Sequence, residues 1–156
     1  MSQEERFDTR DRSYSAWHRR MSTGRFIGIE KAQLLAMIDL DASLYVEYDD
    51  GTKEPLALIE TAEDVGQDYK SATVTNRLAR RAGLPCYVVL YTLDENTMNP
   101  ANTKWKDIKS FRVRRLAPDP TSEWVIFTPS RWADYLLGLR QWTSARLDAS
   151  LFPDEL

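Results

Sequence analysis

The sequence is poor in the side chains that carry thiol and soft-metal chemistry: among 156 residues there is one cysteine, Cys86, and one histidine, His18. A lone cysteine excludes an intramolecular disulfide and a thiolate zinc cluster. Its place at the head of the apolar run CYVVLYTL reads as a small buried hydrophobe rather than a nucleophile paired with His18. Glycine is scarce too, at six residues, and neither a Gly-rich phosphate loop of the Walker or dinucleotide type nor a Gly-x-Ser-x-Gly elbow occurs. No apolar run approaches the ~18–20 residues of a membrane span, and the N-terminal stretch MSQEERFDTRDRSYS is charged where a signal peptide is greasy. The expectation is a cytoplasmic protein without a membrane partner. With so little nitrogen and sulfur to offer, any metal would be hard and held by carboxylate oxygen, so the expected cofactor is Mg or Mn rather than zinc.

What is present suffices for one core. Apolar residues make up 42% and aromatics 11%, and the length suits a single domain over 1–156, with 1–12 expected as a flexible N-terminal arm. The net charge of −3 hides a strong asymmetry. Residues 39–68 hold ten acids against Lys53 alone, a net of −9, whereas 69–115 hold ten bases against Asp94, Glu95 and Asp107, a net of +7. Two readings follow: a cation site beside a phosphate-binding surface, or solvated faces that neutralise each other.

Periodicity outlines the elements. SYSAWHRRM reads as a short helix anchored by Trp17, and the apolar spacing from Ile27 predicts a helix ending near Asp39. SLYVEY, residues 43–48, and EPLALIE, residues 54–60, flank an Asp-Gly turn and form a hairpin. SATVTNRLARRAGLP places Val74, Leu78, Ala79 and Ala82 on one helical face, with a stop at Gly83 and Pro85. CYVVLYTL, residues 86–93, is a strand covered on both faces, so strands 54–60 and 86–93 are expected to be parallel across a crossover helix. Residues 94–107 read as a surface loop, SFRVRRL and WVIF as further strands, and Thr128-Pro129 opens a last helix with a stripe of Trp132, Tyr135, Leu136, Leu139 and Trp142.

Carboxylates are the specific feature. Asp39 and Asp41 precede the first hairpin strand, Glu47 lies within it, and Glu60 ends a strand that should be buried. Strands about 4.8 Å apart let carboxylates from both share one cation. The alternatives are that Asp39 or Asp41 caps a turn and that Glu60 pairs with an arginine.

The order of these residues resembles the PD-(D/E)xK nuclease superfamily, whose core is a helix, a hairpin carrying an Asp and then Glu-x-Lys, a crossover helix and a parallel strand; the likeness spans residues 27–93. YSAWHRR, MIDLD, VEY and PLALIET are similar to segments of its phage and prophage members. The resemblance implies an α/β fold with a restriction-endonuclease-like mixed sheet flanked by helices and a C-terminal helix. It implies metal-dependent phosphodiester hydrolysis in nucleic acid, DNA foremost, with Asp41 and Glu60 holding the ion, assisted by Asp39 or Glu47, and leaves open whether two copies pair as a homodimer. One position departs from the pattern: Glu60-Thr61 is followed by Ala62 where the superfamily has lysine. In such enzymes an ammonium beside the metal orients the attacking water and offsets charge on the phosphate, which a methyl group cannot do. Lys70, entering the crossover helix, is the first candidate for the replacement and Arg77 the second; the other reading of Lys70 is a solvated lysine at a helix start. His18, Arg19 and Arg20 are expected at substrate phosphates by resemblance, with Arg77 and Arg80, and with Arg81, Arg112, Arg114 and Arg115 extending the surface. The other reading is a nuclease fold without catalysis, serving as a nucleic-acid or protein binding module.

Overall fold

The computed structural model describes residues 11–22, 36–38 and 40–151, the last five by backbone alone. The chain divides into two units, Met1–Asp39 and Leu40–Leu156. Within the first, α1 (Ser13–Met21) starts where the Ser13 amide donates to the Asp11 carboxylate at 2.8 Å and carries a cluster of Tyr14, Trp17 and His18 rings with centroids 5.6–6.1 Å apart. Trp17 is 46% exposed, so it decorates this helix rather than anchoring it. The helix expected from Ile27, like most of the N-terminal arm, lies outside the described residues. Residues 36–38 are described and are not helical, so that helix does not reach Asp39.

The second unit is a five-stranded mixed sheet with one helix on each face. In chain order it comprises β1 (Ala42–Glu47), β2 (Lys53–Glu63), α2 (Thr73–Ala82), β3 (Cys86–Met98), β4 (Lys106–Ala117), β5 (Val125–Phe127) and α3 (Pro129–Leu151), and the strand order follows the sequence. Only β2 and β3 run parallel, in the register Leu58↔Cys86, because α2 crosses between them; the other neighbours are antiparallel. The hairpin β1–β2 closes through Asp49-Asp50-Gly51, where Gly51 takes φ +85° and the Tyr48 amide donates to the Thr52 carbonyl at 2.9 Å.

Alternation sorts the strand residues between two cores. Ala57, Ile59, Tyr87, Val89 and Val113 face α3 and pack on Trp132 and Leu139. Leu58, Cys86, Val88 and Leu90 face α2 with Ala72 and Ala79. Two expectations about the helices are corrected here. On α2 the buried stripe is Ala72, Thr75 and Ala79, whereas Val74 and Leu78 are 54% and 43% exposed, because the small side chains let the helix sit close on the sheet. On α3 the stripe from Trp132 to Leu139 is covered, but Trp142 is 47% exposed. The loop expected over 94–107 is also shorter. β3 continues to Met98 and β4 starts at Lys106, since Asn99–Trp105 closes the turn with its own Asx and backbone bonds.

Candidate functional site

The apolar run Leu56–Ile59 buries β2, and the next residue, Glu60, is carried to the same depth with only 3% of its surface exposed. An ionised carboxylate there requires partners, because desolvation of an unpaired charge costs several kcal/mol. Two partners come from the crossover. The Thr75 hydroxyl, in the first turn of α2, donates to Glu60 Oε1. Lys70 Nζ lies 3.3 Å from Glu60 Oε2 and is itself three-quarters covered, with 24% of its side chain exposed. The N-terminal turn of α2 adds a favourable dipole.

Asp41 approaches from the edge strand. The register Ala42↔Ile59, continued by one residue, puts Asp41 opposite Glu60, and directly opposed residues have Cβ atoms about 4.5–5.5 Å apart. Its Oδ2 accepts the Thr61 amide at 2.8 Å, with the Thr61 hydroxyl at 3.4 Å. Asp41 is thus tied to the strand that carries Glu60 through Oδ2, and among the described residues its Oδ1 has no hydrogen-bond partner.

One other expected ligand is not brought to this place. Glu47 is paired with Lys53 at the far end of the hairpin, six residues from Asp41 and so about 20 Å away at ~3.3 Å per residue. Asp39 lies outside the described residues. Among the described residues no group of three or more His, Cys, Asp or Glu side chains is placed to hold a metal ion. Two carboxylates nonetheless suit Mg²⁺ or Mn²⁺, because magnesium is commonly held by one or two carboxylates with waters and substrate phosphate completing the shell.

The expected basic residues divide sharply. Arg77 and Arg81 on α2 are exposed. His18, Arg19 and Arg20 fall in the last turn of α1, in the other unit, where His18 Nδ1 is 3.3 Å from the Tyr14 hydroxyl. The Arg80 guanidinium donates to the carbonyls of Leu116 at 2.7 Å and Pro118 at 3.3 Å, so it fastens α2 to the end of β4. The β4 arginines are likewise engaged within the fold. Arg112 grips Asp64 with two bonds of 3.0 and 2.9 Å and lies 4.8 Å over the Trp124 ring, Arg114 donates to the Thr121 carbonyl and Arg115 to that of Asp119. Glu60–Lys70 and Asp64–Arg112 are both pairings between the acidic and basic blocks, and each is partly buried. Arg112 and the Gly66 amide hold the Asp64 carboxyl below its ordinary range. Cys86 is fully buried, and burial reinforced by the Glu60 charge pushes its thiol up to about 11, which leaves it protonated at neutral pH.

Comparison with protein-family models, curated proteins and solved structures gave no match to this chain. The site residue that sequence reasoning missed is Thr75. Its signal was its position at i+3 from Ala72 and i−4 from Ala79: a hydroxyl on a stripe of small residues has to meet a polar group beneath it.

Proposed function

We propose that this chain is a restriction-endonuclease-like, metal-dependent nuclease with Asp41, Glu60 and Lys70 at its centre. The observation that carries this reading is the 3.3 Å contact between Lys70 and Glu60. The lysine that the resemblance requires is missing at position 62, and an ammonium from the crossover stands beside the glutamate instead. Order of elements supports the same reading, since a hairpin bearing the acids, a crossover helix and a parallel strand follow one another in β1, β2, α2 and β3.

Asp41 and Glu60 would hold Mg²⁺ or Mn²⁺, which when bound supplies Lewis-acid polarisation of a phosphoryl oxygen. The chain's own residues do the rest. Thr61 fixes Asp41, and Thr75 fixes one oxygen of Glu60, so both carboxylates are held in place before substrate arrives. Lys70 orients the attacking water and offsets charge on the phosphate as the bond to the leaving oxygen stretches. Arg77 and Arg81, exposed on α2, lie on the helix that follows Lys70 and would meet the flanking phosphates. DNA is the proposed substrate.

One observation favours a second reading, a binding module without catalysis. Both Glu60 oxygens already have protein partners, which is also what a purely structural buried acid requires. Incubating the full chain with Mg²⁺ or Mn²⁺ and duplex DNA, single-stranded DNA or RNA separates the two. The nuclease reading expects metal-dependent cleavage that falls at least ~100-fold in Glu60→Gln and in Lys70→Met. Full cleavage by a folded Glu60→Gln variant refutes the mechanism, and metal-independent, salt-sensitive binding without cleavage supports the module.

A further inference from the structure

At the edge of the second unit, where β3 begins and β4 ends, two cavities lie side by side and share Pro118. The larger, about 350 Å³, is walled by Tyr87, Tyr135 and Trp142, with Arg115 and Asp119 also lining it. The smaller, about 210 Å³, is lined by Arg80 and Arg146 beside Gly83, Leu84 and Ala117. One is aromatic and the other basic.

Both chemistries are fixed by the fold. Tyr87 and Tyr135 meet edge to face with centroids 5.7 Å apart, and their hydroxyls are 2.8 Å apart. One hydroxyl donates to the other, which leaves one O–H to donate elsewhere. Burial and the neighbouring Tyr135 push the Tyr87 phenol upward, so it stays protonated. Arg146 sits one turn after Trp142 on α3 with its guanidinium 4.6 Å from the indole centroid, which places a cation at the junction of the two cavities. Arg80 uses two of its five N–H groups on the Leu116 and Pro118 carbonyls and keeps its charge. At the end of α2 the Gly83 and Leu84 amides donate to the Arg80 and Ala79 carbonyls at 3.3 and 2.8 Å. Three arginines against the single acid Asp119 make the lining of the described cavities positive.

We propose that the larger cavity, with Arg146 beside it, binds a nucleoside monophosphate, its base among Tyr87, Tyr135 and Trp142 and its phosphate against Arg146. The larger cavity falls within the ~300–1,000 Å³ range of small-molecule sites, and flat rings with one free hydroxyl suit a planar heterocycle that also accepts a hydrogen bond. This site is separate from Glu60. Gly83 is eight residues beyond Thr75, about 12 Å at the ~1.5 Å rise per residue of a helix, and Tyr87 faces α3 whereas Glu60 faces α2.

Calorimetric titration of the full chain with adenosine monophosphate, adenosine and inorganic phosphate tests the proposal. The expected result is one site for the nucleotide, bound at least ~10-fold more tightly than either fragment. Trp142→Ala and Arg146→Ala, both at exposed positions, should each weaken binding about 10-fold, by loss of stacking and of the charge-assisted contact respectively. Glu60→Gln should bind as the wild type does. No heat with millimolar nucleotide, adenosine binding as tightly as the monophosphate, or full affinity in both cavity variants overturns the proposal.

Discussion

Replacing Lys70 with methionine keeps the aliphatic stem and removes only the charge, which isolates what the ammonium contributes beside the buried Glu60. At 3.3 Å and an effective dielectric constant of about 20 the direct attraction is about 5 kcal/mol, an upper bound because the lysine is still 24% exposed to water. Breaking one partner of a buried pair typically costs ~3–5 kcal/mol, and partial exposure scales the expected loss to about 2–3 kcal/mol. Glu60→Gln retains an acceptor for the Thr75 hydroxyl, so the double variant Glu60→Gln/Lys70→Met should recover part of the loss. Urea unfolding of the four proteins gives the cycle, and the coupling should be at least ~1 kcal/mol. A cost for Lys70→Met below ~0.5 kcal/mol would mean that the ammonium is not what compensates the Glu60 carboxylate, and the reasoning about the site would fail.

Other outcomes follow from the same structure. Because Arg112 holds the Asp64 carboxyl below its ordinary value of 3.8, the pair stabilises the fold above that pH and the contribution disappears as pH falls through the lowered folded value. The gap in urea midpoint between wild type and Asp64→Asn should therefore be wide at pH 7 and narrow at pH 3; an equal gap at both contradicts the assignment. The Cys86 thiol, pushed up to about 11 under full burial, should react with a disulfide reagent at pH 8 only at the rate of unfolding, and rapid labelling of native protein would show the site to be open. On α2, Ala79→Leu should cost about 1–3 kcal/mol by overpacking against the sheet, whereas Leu78→Ala should change little; the reverse order would place the other face of the helix against the sheet.

Much of the fold was legible in the sequence, and the failures have physical causes. The hairpin, the crossover and the parallel strand could be read because Asp-Gly, Gly83 and the run CYVVLYTL each express a strong local preference that the fold obeys. Hydrophobicity alone turns α2 the wrong way, because Val74 and Leu78 outrank Ala72, Thr75 and Ala79, while proximity to the sheet selects for small size. The pattern shortens β3 and β4 because the polar residues 94–98 look like a loop, yet a two-stranded ribbon leaving the sheet has nothing to bury and can be polar on both faces. At the site, the approach of Lys70 to Glu60 is legible from its place at the start of the crossover, whereas the bond from Thr75 is not. Charge counting alone does not show that Arg80, Arg112, Arg114 and Arg115 also hold carbonyls and a carboxylate within the fold.

The central claim is that Asp41 and Glu60 form a cation site, and titration of Mn²⁺ into the full chain, followed by calorimetry, tests it most directly. Wild type should bind one ion, and Glu60→Gln and Asp41→Asn, each verified as folded by its melting transition, should lose that binding. Unchanged Mn²⁺ affinity in both variants, or no binding by the wild type with or without a duplex DNA that supplies phosphate oxygens, would contradict the account.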